Sequence, residues 1–146
     1  MMRERVALHE ELFSLHGTPE LPDHPALKGA RCACGHVFFP RKTYGCEKCG
    51  RRPDEIEPVE LTGRGRLLAF AKVHRSALEQ LPAPYMVGTI LLDDGCAVRA
   101  LLADVDEQDL QHGQTVYTKL VAIGEDEQGR TIVDVRFSPK KTREEA

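Results

Sequence analysis

The chain has 146 residues, enough for one domain with an ordinary core or one domain with a small attachment. Hydrophobic residues make up 41% and charged residues 29%, a composition that excludes collagen-like, mucin-like and wholly disordered proteins. The longest apolar run, 67–71, is far shorter than the roughly 20 residues of a membrane-spanning helix. The residues after Met1 form no apolar signal segment. These features predict a cytoplasmic protein without membrane contact, in which five cysteines indicate metal binding or catalysis before disulfides.

Charge is uneven along the chain, although the formal net charge is only -3. Residues 28–52 carry seven basic side chains and one acidic side chain. Residues 1–27 carry two basic and five acidic side chains, and residues 53–146 carry eleven basic and seventeen acidic ones. The basic insert favours either a polyanionic ligand or an acidic partner surface, or it is a solvated surface with a local excess of Lys and Arg.

The N-terminal half shows three successive patterns. Residues 2–16 place apolar side chains at roughly helical spacing, which predicts an N-terminal helix ended by Gly17. Residues 17–25 contain three prolines and a glycine, which predicts a linker. Residues 30–52 are rich in cysteine and punctuated by glycine, which is typical of loops rather than of a helix.

The pattern changes to strands after residue 55. Asp93-Asp94-Gly95 is a strong hairpin signal between two of these strands, and the polar residues 125–130 are a second turn. Residues 106–112 fit a single helical turn, and alternation from Leu67 to Val73 predicts one apolar strand face that includes Ala69 and Ala71. Five or six strands without a long helix predict a small antiparallel barrel or sandwich. The predicted strands are 56–62, 66–74, 86–92, 97–103, 114–123 and 131–137.

Four cysteines form two close pairs separated by a short loop, which is the pattern of a structural zinc ribbon. Tetrahedral zinc takes four sulfur ligands at about 2.3 Å, and Gly35 and Gly50 follow the second cysteine of each pair, where glycine eases the turn around a metal. Four cysteines close the site, which favours a structural over a catalytic metal. The first pair is spaced Cys-x-Cys where Cys-x-x-Cys is usual, so His24 or His36 is an alternative to its first member, and a metal-free knuckle or a disulfide stays open. The predicted ligands are Cys32, Cys34, Cys46 and Cys49.

From residue 29 onward the chain resembles the DUF35 family. The run 29–41 contains CACGHVFFPR where the family has a CG, an aromatic residue and FPPR, and residues 46–49 read CEKC where the family has CPxC. Further similar segments follow in the family's order at 61–67, 73–75, 81–85, 90–95, 109–116 and 136–139. The resemblance implies a mainly β chain with an N-terminal helix, a rubredoxin-like zinc ribbon and a five- or six-stranded antiparallel OB-fold barrel. The corresponding division is 1–25 for helix and linker, 26–55 for the ribbon, 56–139 for the OB-fold and 140–146 for a tail.

The resemblance implies a non-catalytic accessory subunit in a hetero-oligomer with a thiolase-like enzyme. Such enzymes thiolyse β-ketoacyl-CoA or catalyse a retro-aldol cleavage, for example in the degradation of aromatic compounds or steroids, and the OB-fold helps to hold the acyl-CoA. Binding CoA requires cationic groups for its phosphates. For each candidate the alternative is an ordinary solvated charge. The candidates are Arg41, Lys42, Arg64, Arg66, Lys72, His74 and Arg75.

Other functions have weaker support in the sequence. Cys96 has no evident activating base and is interpreted as a packing residue, and no motif of a hydrolase, P-loop protein or zinc protease occurs. The chain is therefore not expected to be an enzyme on its own, although an independent metalloenzyme stays a third possibility. A single-stranded nucleic-acid-binding zinc-ribbon/OB module is the alternative. The acidic excess of residues 53–146, with only Phe70, Tyr85, Tyr117 and Phe137 as aromatics, disfavours it.

Overall fold

The computed structural model describes residues 5–39, 50, 55–74, 84–103 and 105–139. These ranges are dominated by strands, which confirms the prediction of a mainly β chain. The strands are β1 (Arg5–Ala7), β2 (Leu27–Cys32), β3 (Val37–Phe38), β4 (Ile56–Leu61), β5 (Arg64–Val73), β6 (Tyr85–Leu92), β7 (Ala97–Leu101), β8 (Thr115–Glu125) and β9 (Thr131–Ser138), with a 3-10 turn at Glu107–Asp109.

The larger sheet has six strands in the order β1-β9-β8-β5-β6-β7. Its neighbours are antiparallel except β1 and β9, which are parallel. The sheet curls so that the residue after β7 reaches β9, where Leu102 forms a parallel bridge with Phe137. The N–H of Ala103 donates to the carbonyl of Phe137 at 2.8 Å. Strands β5 to β9 therefore form the partly open, five-stranded barrel of an OB-fold, as predicted.

The smaller sheet has three antiparallel strands in the order β3-β2-β4. Strand β4 pairs with β2 over six residues, from Leu27 opposite Leu61 to Cys32 opposite Ile56. The segment 56–62 was predicted as a barrel strand, but its backbone partners lie in this smaller sheet. Leu27 and Leu61 are both buried and belong to the same apolar cluster as the barrel core, so the two sheets share one hydrophobic interior.

The predicted N-terminal helix is wrong, because residues 5–16 contain no helix. Val6 and Ala7 of β1 pair with β9, and the N–H of Leu8 donates to the carbonyl of Val133 at 2.8 Å. Farther along, Phe13 forms a bridge with Leu27 and is 1% exposed. Short helices are marginal in water, so backbone pairing with a sheet edge and burial of an aromatic ring outweigh a helix here.

The proline-rich segment 17–25, predicted as a linker, packs against the barrel. His24 is fully buried, its ring lies 5.0 Å from that of Tyr117, and its Nδ1 donates to the carbonyl of Thr118 at 2.7 Å. The hydroxyl of Thr118 in turn donates to the carbonyl of Pro25 at 2.7 Å. The N–H of Thr118 bonds the carbonyl of Gly63 at 2.9 Å, just before β5 begins. We call this part of β8, covered by residues 17–25, the covered edge.

The core is a continuous cluster inside the curled sheet. Cys96 is 6% exposed and belongs to it, which confirms its interpretation as a packing residue. In the described residues, no helix is long and apolar enough to cross a lipid bilayer. The buried cluster comprises Phe13, Leu27, Leu61, Leu67, Met86, Ile90, Leu92, Cys96, Val98, Leu102, Leu110, Val116 and Phe137.

Candidate functional site

The first cysteine pair lies on the tight turn that joins β2 to β3. The N–H of Gly35 donates to the carbonyl of Cys32 at 2.8 Å, and the N–H of Cys32 donates to the carbonyl of His36 at 2.9 Å. Gly35 has a φ of 96°, a conformation that side-chain-bearing residues rarely adopt. Cys32 is 1% exposed at the end of β2, whereas Cys34 is exposed at the tip of the turn. The two thiols therefore lie in different environments.

This turn suits one half of the predicted zinc site, since it presents two sulfurs close together around a glycine. The other two predicted ligands, Cys46 and Cys49, lie outside the described residues. Among the residues that the structure describes, no three His, Cys, Asp or Glu side chains form a metal-binding group. The zinc site stays a prediction.

The two histidines considered as substitute ligands have other surroundings. His24 is buried against β8, and its Nδ1 is engaged by the carbonyl of Thr118. His36 follows the cysteine turn and stacks on Phe38, with ring centroids 5.6 Å apart. Of the two, only His36 lies beside the cysteine pair in the chain and in the hairpin.

The basic candidates on and after β5 do not form one cluster. Arg64 pairs with Asp93, with 2.6 Å between Nε and Oδ2, and Arg66 is exposed two residues later. Lys72 and His74 are exposed at the other end of the strand, and at about 3.3 Å per residue Lys72 lies roughly 20 Å from Arg66. Their role in binding CoA stays a prediction. The candidates Arg41, Lys42 and Arg75 lie outside the described residues.

A β-bulge in β5 changes which side chains face the core. The pairing of β5 with β6 shifts between Leu67 and Ala69, so Leu68 is an extra residue and is 47% exposed. The predicted single face of 67, 69, 71 and 73 is therefore wrong: Leu67 is buried, whereas Ala69 is exposed on the opposite side. The bulge is held by hydrogen bonds from the N–H of Leu67 to the carbonyl of Gln114 at 2.8 Å and from the N–H of Gly113 to the carbonyl of Leu67 at 2.7 Å.

The bulge produces an apolar outer surface on β5, β6 and β7, which we call the open face. Cross-strand neighbours share a side of a sheet, so Ala69, Thr89 and Arg99 form one row across the three strands. Its residues are exposed or half-buried, and the charged ones are two arginines. The open face consists of Arg66, Leu68, Ala69, Ala71, Val87, Thr89, Leu91, Ala97, Arg99 and Leu101.

Two concavities adjoin this face. The first is a notch of about 140 Å³ beside Ala69 and Ala71, where the side chains are small, bordered by Val87, Thr89 and Arg99. The second, which we call the seam groove, is an apolar groove of about 190 Å³ between β7 and β9, next to the short bridge that joins these strands. The seam groove is lined by Leu12, Phe13, Leu27, Phe39, Val98, Arg99, Ala100, Leu101, Asp134, Val135 and Phe137.

Arg99 borders both concavities and was missing from the predicted binding residues. Alternation along β7, with Val98 buried, could have placed it on the outer side of the barrel. Its position beside Ala69 depends on the pairing of β7 with β6 and of β6 with β5, which no local pattern contains.

The curled five-stranded barrel and the small cysteine-bearing sheet packed against it define an OB-fold protein with an additional three-stranded sheet. Residues 58–120 match the family model of the ChsH2 C-terminal OB-fold domain. A DUF35 domain-containing scaffold protein of Methanocaldococcus jannaschii is 32% identical over 116 residues, which are 77% of this chain and 81% of that protein. One of Methanothermobacter thermautotrophicus is 30% identical over 125 residues, 82% of this chain and 91% of that protein. The chain belongs to the DUF35 family.

A solved structure agrees with this fold. The structure described as the Ltp2-ChsH2(DUF35) aldolase aligns with a TM-score of 0.59 at 23% sequence identity. The alignment covers 78% of this chain and 84% of that one, so the similarity extends beyond the barrel strands alone. The predicted resemblance to the DUF35 family is confirmed.

Proposed function

We propose that the chain is a non-catalytic scaffold subunit of a complex with a thiolase-like enzyme and that it helps to hold the enzyme's acyl-CoA substrate. The observation that carries this proposal is the match, over 77% of the chain, to a curated relative described as a scaffold protein. The name of the similar solved structure joins a DUF35 component to an aldolase, which supports a partner that forms or cleaves carbon–carbon bonds.

The seam groove is the part of the barrel that best suits the acyl or pantetheine portion of the substrate. Its lining is mostly apolar, and burial of an apolar chain contributes about 25 cal/mol for each Å² removed from water. The groove lies where β7 and β9 are joined by a single bridge, so a ligand can enter there without breaking the ladder hydrogen bonds of either strand. In this proposal the basic residues Lys72 and His74, exposed at the end of β5, attract the CoA phosphates.

Zinc has a structural role in the proposal. Cys32 and Cys34, together with Cys46 and Cys49, would hold the ion, and the ion would tie the turn after β2 to the second cysteine pair. Metal analysis of the purified protein tests this part separately, and we expect about one zinc per chain, as in a four-cysteine site. Less than half an equivalent would contradict it.

Co-expression with a thiolase-like enzyme of the same organism tests the scaffold function. We expect the two proteins to co-elute in size-exclusion chromatography, and we expect the enzyme's cleavage of its acyl-CoA substrate to decline when this chain is omitted. Two separate elution peaks together with unchanged enzyme activity would contradict the proposal.

A matched pair of leucine variants tests the acyl-CoA contribution of the seam groove. Leu12 lines the groove and Leu8 lies outside it in the same N-terminal segment, 42% exposed. A carboxylate in an apolar groove disfavours an acyl chain, so Leu12→Glu should weaken binding of a long-chain acyl-CoA by calorimetry, whereas Leu8→Glu should not. Equal binding by both variants would exclude the groove as the acyl site.

A further inference from the structure

The open face exposes apolar side chains of three adjacent strands to water. Leu68 is 47% exposed, the exposed Ala71 lies opposite the half-buried Val87, and the exposed Ala97 lies opposite the half-buried Leu91. Contiguous apolar surface of this kind on a folded protein is typical of an interaction site. The bulge that exposes Leu68 is fixed by two backbone hydrogen bonds to residues 113 and 114, so this exposure is built into the fold.

The shape of the face provides both a projection and a recess. Leu68 projects from the bulge, and the notch beside Ala69 and Ala71 has a volume of about 140 Å³. This is close to the roughly 150 Å³ of a cavity that accommodates one benzene ring. The notch therefore has room for one apolar or aromatic side chain of another molecule, and Arg99 lies at its border.

The charge of the open face indicates which class of molecule binds there. Arg66 and Arg99 are its charged residues, although residues 53–146 as a whole carry seventeen acidic and eleven basic side chains. Two copies of this face brought together would contribute arginines from both sides and no carboxylate to pair with them, which disfavours a second copy of the chain. A surface with carboxylates around an apolar centre is complementary. In the described residues the strands of this face carry few aromatic side chains on which nucleobases could stack, which disfavours a single-stranded nucleic acid.

We propose that the open face is the docking surface for the protein partner, and that the partner inserts one apolar side chain into the notch while its carboxylates pair with Arg66 and Arg99. The identity of that partner as the thiolase-like enzyme rests on the proposed function. Apolar anchors in a recess with arginines nearby are the arrangement of interface hot spots.

Two variants and two matched controls test this assignment in the co-expressed complex. Ala69→Trp fills the notch, and Arg99→Glu reverses the charge at its border. Ala122→Trp and Arg5→Glu make the same changes at exposed positions on β8 and β1, away from the open face. Affinity for the enzyme is measured by biolayer interferometry. Circular dichroism and urea unfolding of each variant exclude the trivial loss of binding by misfolding.

We expect the two open-face variants to bind the enzyme at least tenfold more weakly than the wild type, since loss of one hot spot has an effect of this size. The two controls should bind as the wild type does.

Undiminished binding of both Ala69→Trp and Arg99→Glu would show that the open face is not the docking surface, and it would not contradict the scaffold function. If the wild-type chain binds no thiolase-like enzyme, both proposals fail. If the wild-type chain is a dimer that Ala69→Trp converts to a monomer, the occupant of the open face is a second copy of the chain and not the enzyme. If an oligonucleotide binds tightly at this face, the occupant is a nucleic acid.

Discussion

Two surfaces of the barrel differ in whether the N-terminal segment of the chain covers them. At the covered edge, residues 17–25 lie over β8, and the fully buried His24 donates to the carbonyl of Thr118. On the open face, Leu68 and Ala69 of β5 point to solvent. Both surfaces contain apolar groups and strand backbone, but the N-terminal segment of the chain closes only the first.

The difference shows how an OB-fold barrel can be both stable and available for binding. At the covered edge, His24 provides the hydrogen bond to the carbonyl of Thr118. Strand β5 does not provide it, because β5 begins at Arg64, opposite Tyr117. The central strand of the open face needs no such closure, since β6 is paired with β5 on one side and with β7 on the other. Side chains on the open face can therefore be substituted with little change in the stability of the barrel.

The largest effect is expected from adding a side chain at Gly63, under the covered edge. A Cβ there would lie 2.5 Å from the carbonyl oxygen of Pro25 and would overlap the hydroxyl of Thr118. We expect Gly63→Val to lower the free energy of unfolding by about 3 kcal/mol, the upper part of the range for overpacking. Gly124→Val is the matched control, since a Cβ at Gly124 meets open space and should change stability by less than about 0.5 kcal/mol. The unfolding midpoints of both variants are measured in urea. Equal midpoints would show that segment 17–25 does not pack closely against Gly63.

The next effect is expected at His24. Leucine has a similar size but donates no hydrogen bond, so His24→Leu leaves the carbonyl of Thr118 buried without its donor. A group left unsatisfied in this way costs roughly 2 kcal/mol. His16→Leu, at an exposed position of the same segment, should leave stability within about 0.5 kcal/mol of the wild type. If the two variants unfold at the same urea concentration, the hydrogen bond does not close the covered edge.

A third, smaller effect is expected at the β8–β9 turn, away from both surfaces. Burial raises the pKa of Asp126, but hydrogen bonds from the N–H groups of Arg130 and Gln128 and from the Arg130 guanidinium outweigh it, so the pKa lies below its ordinary value of 3.8. The carboxylate therefore stabilises the fold above its unfolded pKa, and this contribution is lost as the pH falls through the lower, folded pKa.

Asp126→Asn should consequently unfold at lower urea concentration than the wild type near neutral pH, and the difference should shrink as the pH falls below 3.8. Asp106→Asn is the control, because Asp106 makes no capping hydrogen bond through its side chain. A difference between Asp126→Asn and the wild type that is the same at all pH values would contradict the role of the charge.

The smallest change in stability is expected on the open face. Leu68→Thr keeps a residue suited to strands and removes exposed apolar surface, so it should alter the free energy of unfolding by less than about 0.5 kcal/mol. Ile123→Thr makes a similar change at a residue that is 43% exposed on β8. Titration with a hydrophobic fluorescent dye separates the two: signal should fall for Leu68→Thr more than for Ile123→Thr. A loss of stability above 1 kcal/mol for Leu68→Thr would show that its side chain belongs to the core.

The strands of the barrel could be predicted because alternation and turn residues are local. The Asp93-Asp94-Gly95 turn joins β6 to β7 as predicted, with a φ of 90° at Gly95. The N-terminal segment could not be predicted, because the partner of β1 is β9, far along the chain, and the spacing of Val6 and Phe13 resembles that of a helix. The bulge at Leu68 was equally hidden, since it depends on hydrogen bonds to residues 113 and 114.

The candidate site divides in the same way. The cysteine pairs are visible in the sequence because metal ligands follow short spacings, whereas the notch beside Ala69 arises from the register of three strands. Arg64 was predicted as a phosphate ligand from its charge, and only the structure shows its ion pair with Asp93. Local patterns thus predict the strands and the metal ligands, and long-range pairing decides which surfaces are available to a partner.

Radical footprinting of the complex with the thiolase-like enzyme tests the contrast between the two surfaces most directly. Leu68 and Tyr85 lie on the side of β5 and β6 that faces outward, and Tyr117 lies against His24 at the covered edge. We expect oxidation of Leu68 and Tyr85 to fall when the complex forms, while oxidation of Tyr117 stays unchanged. Protection of Tyr117 together with unchanged oxidation of Leu68 and Tyr85 would contradict the account.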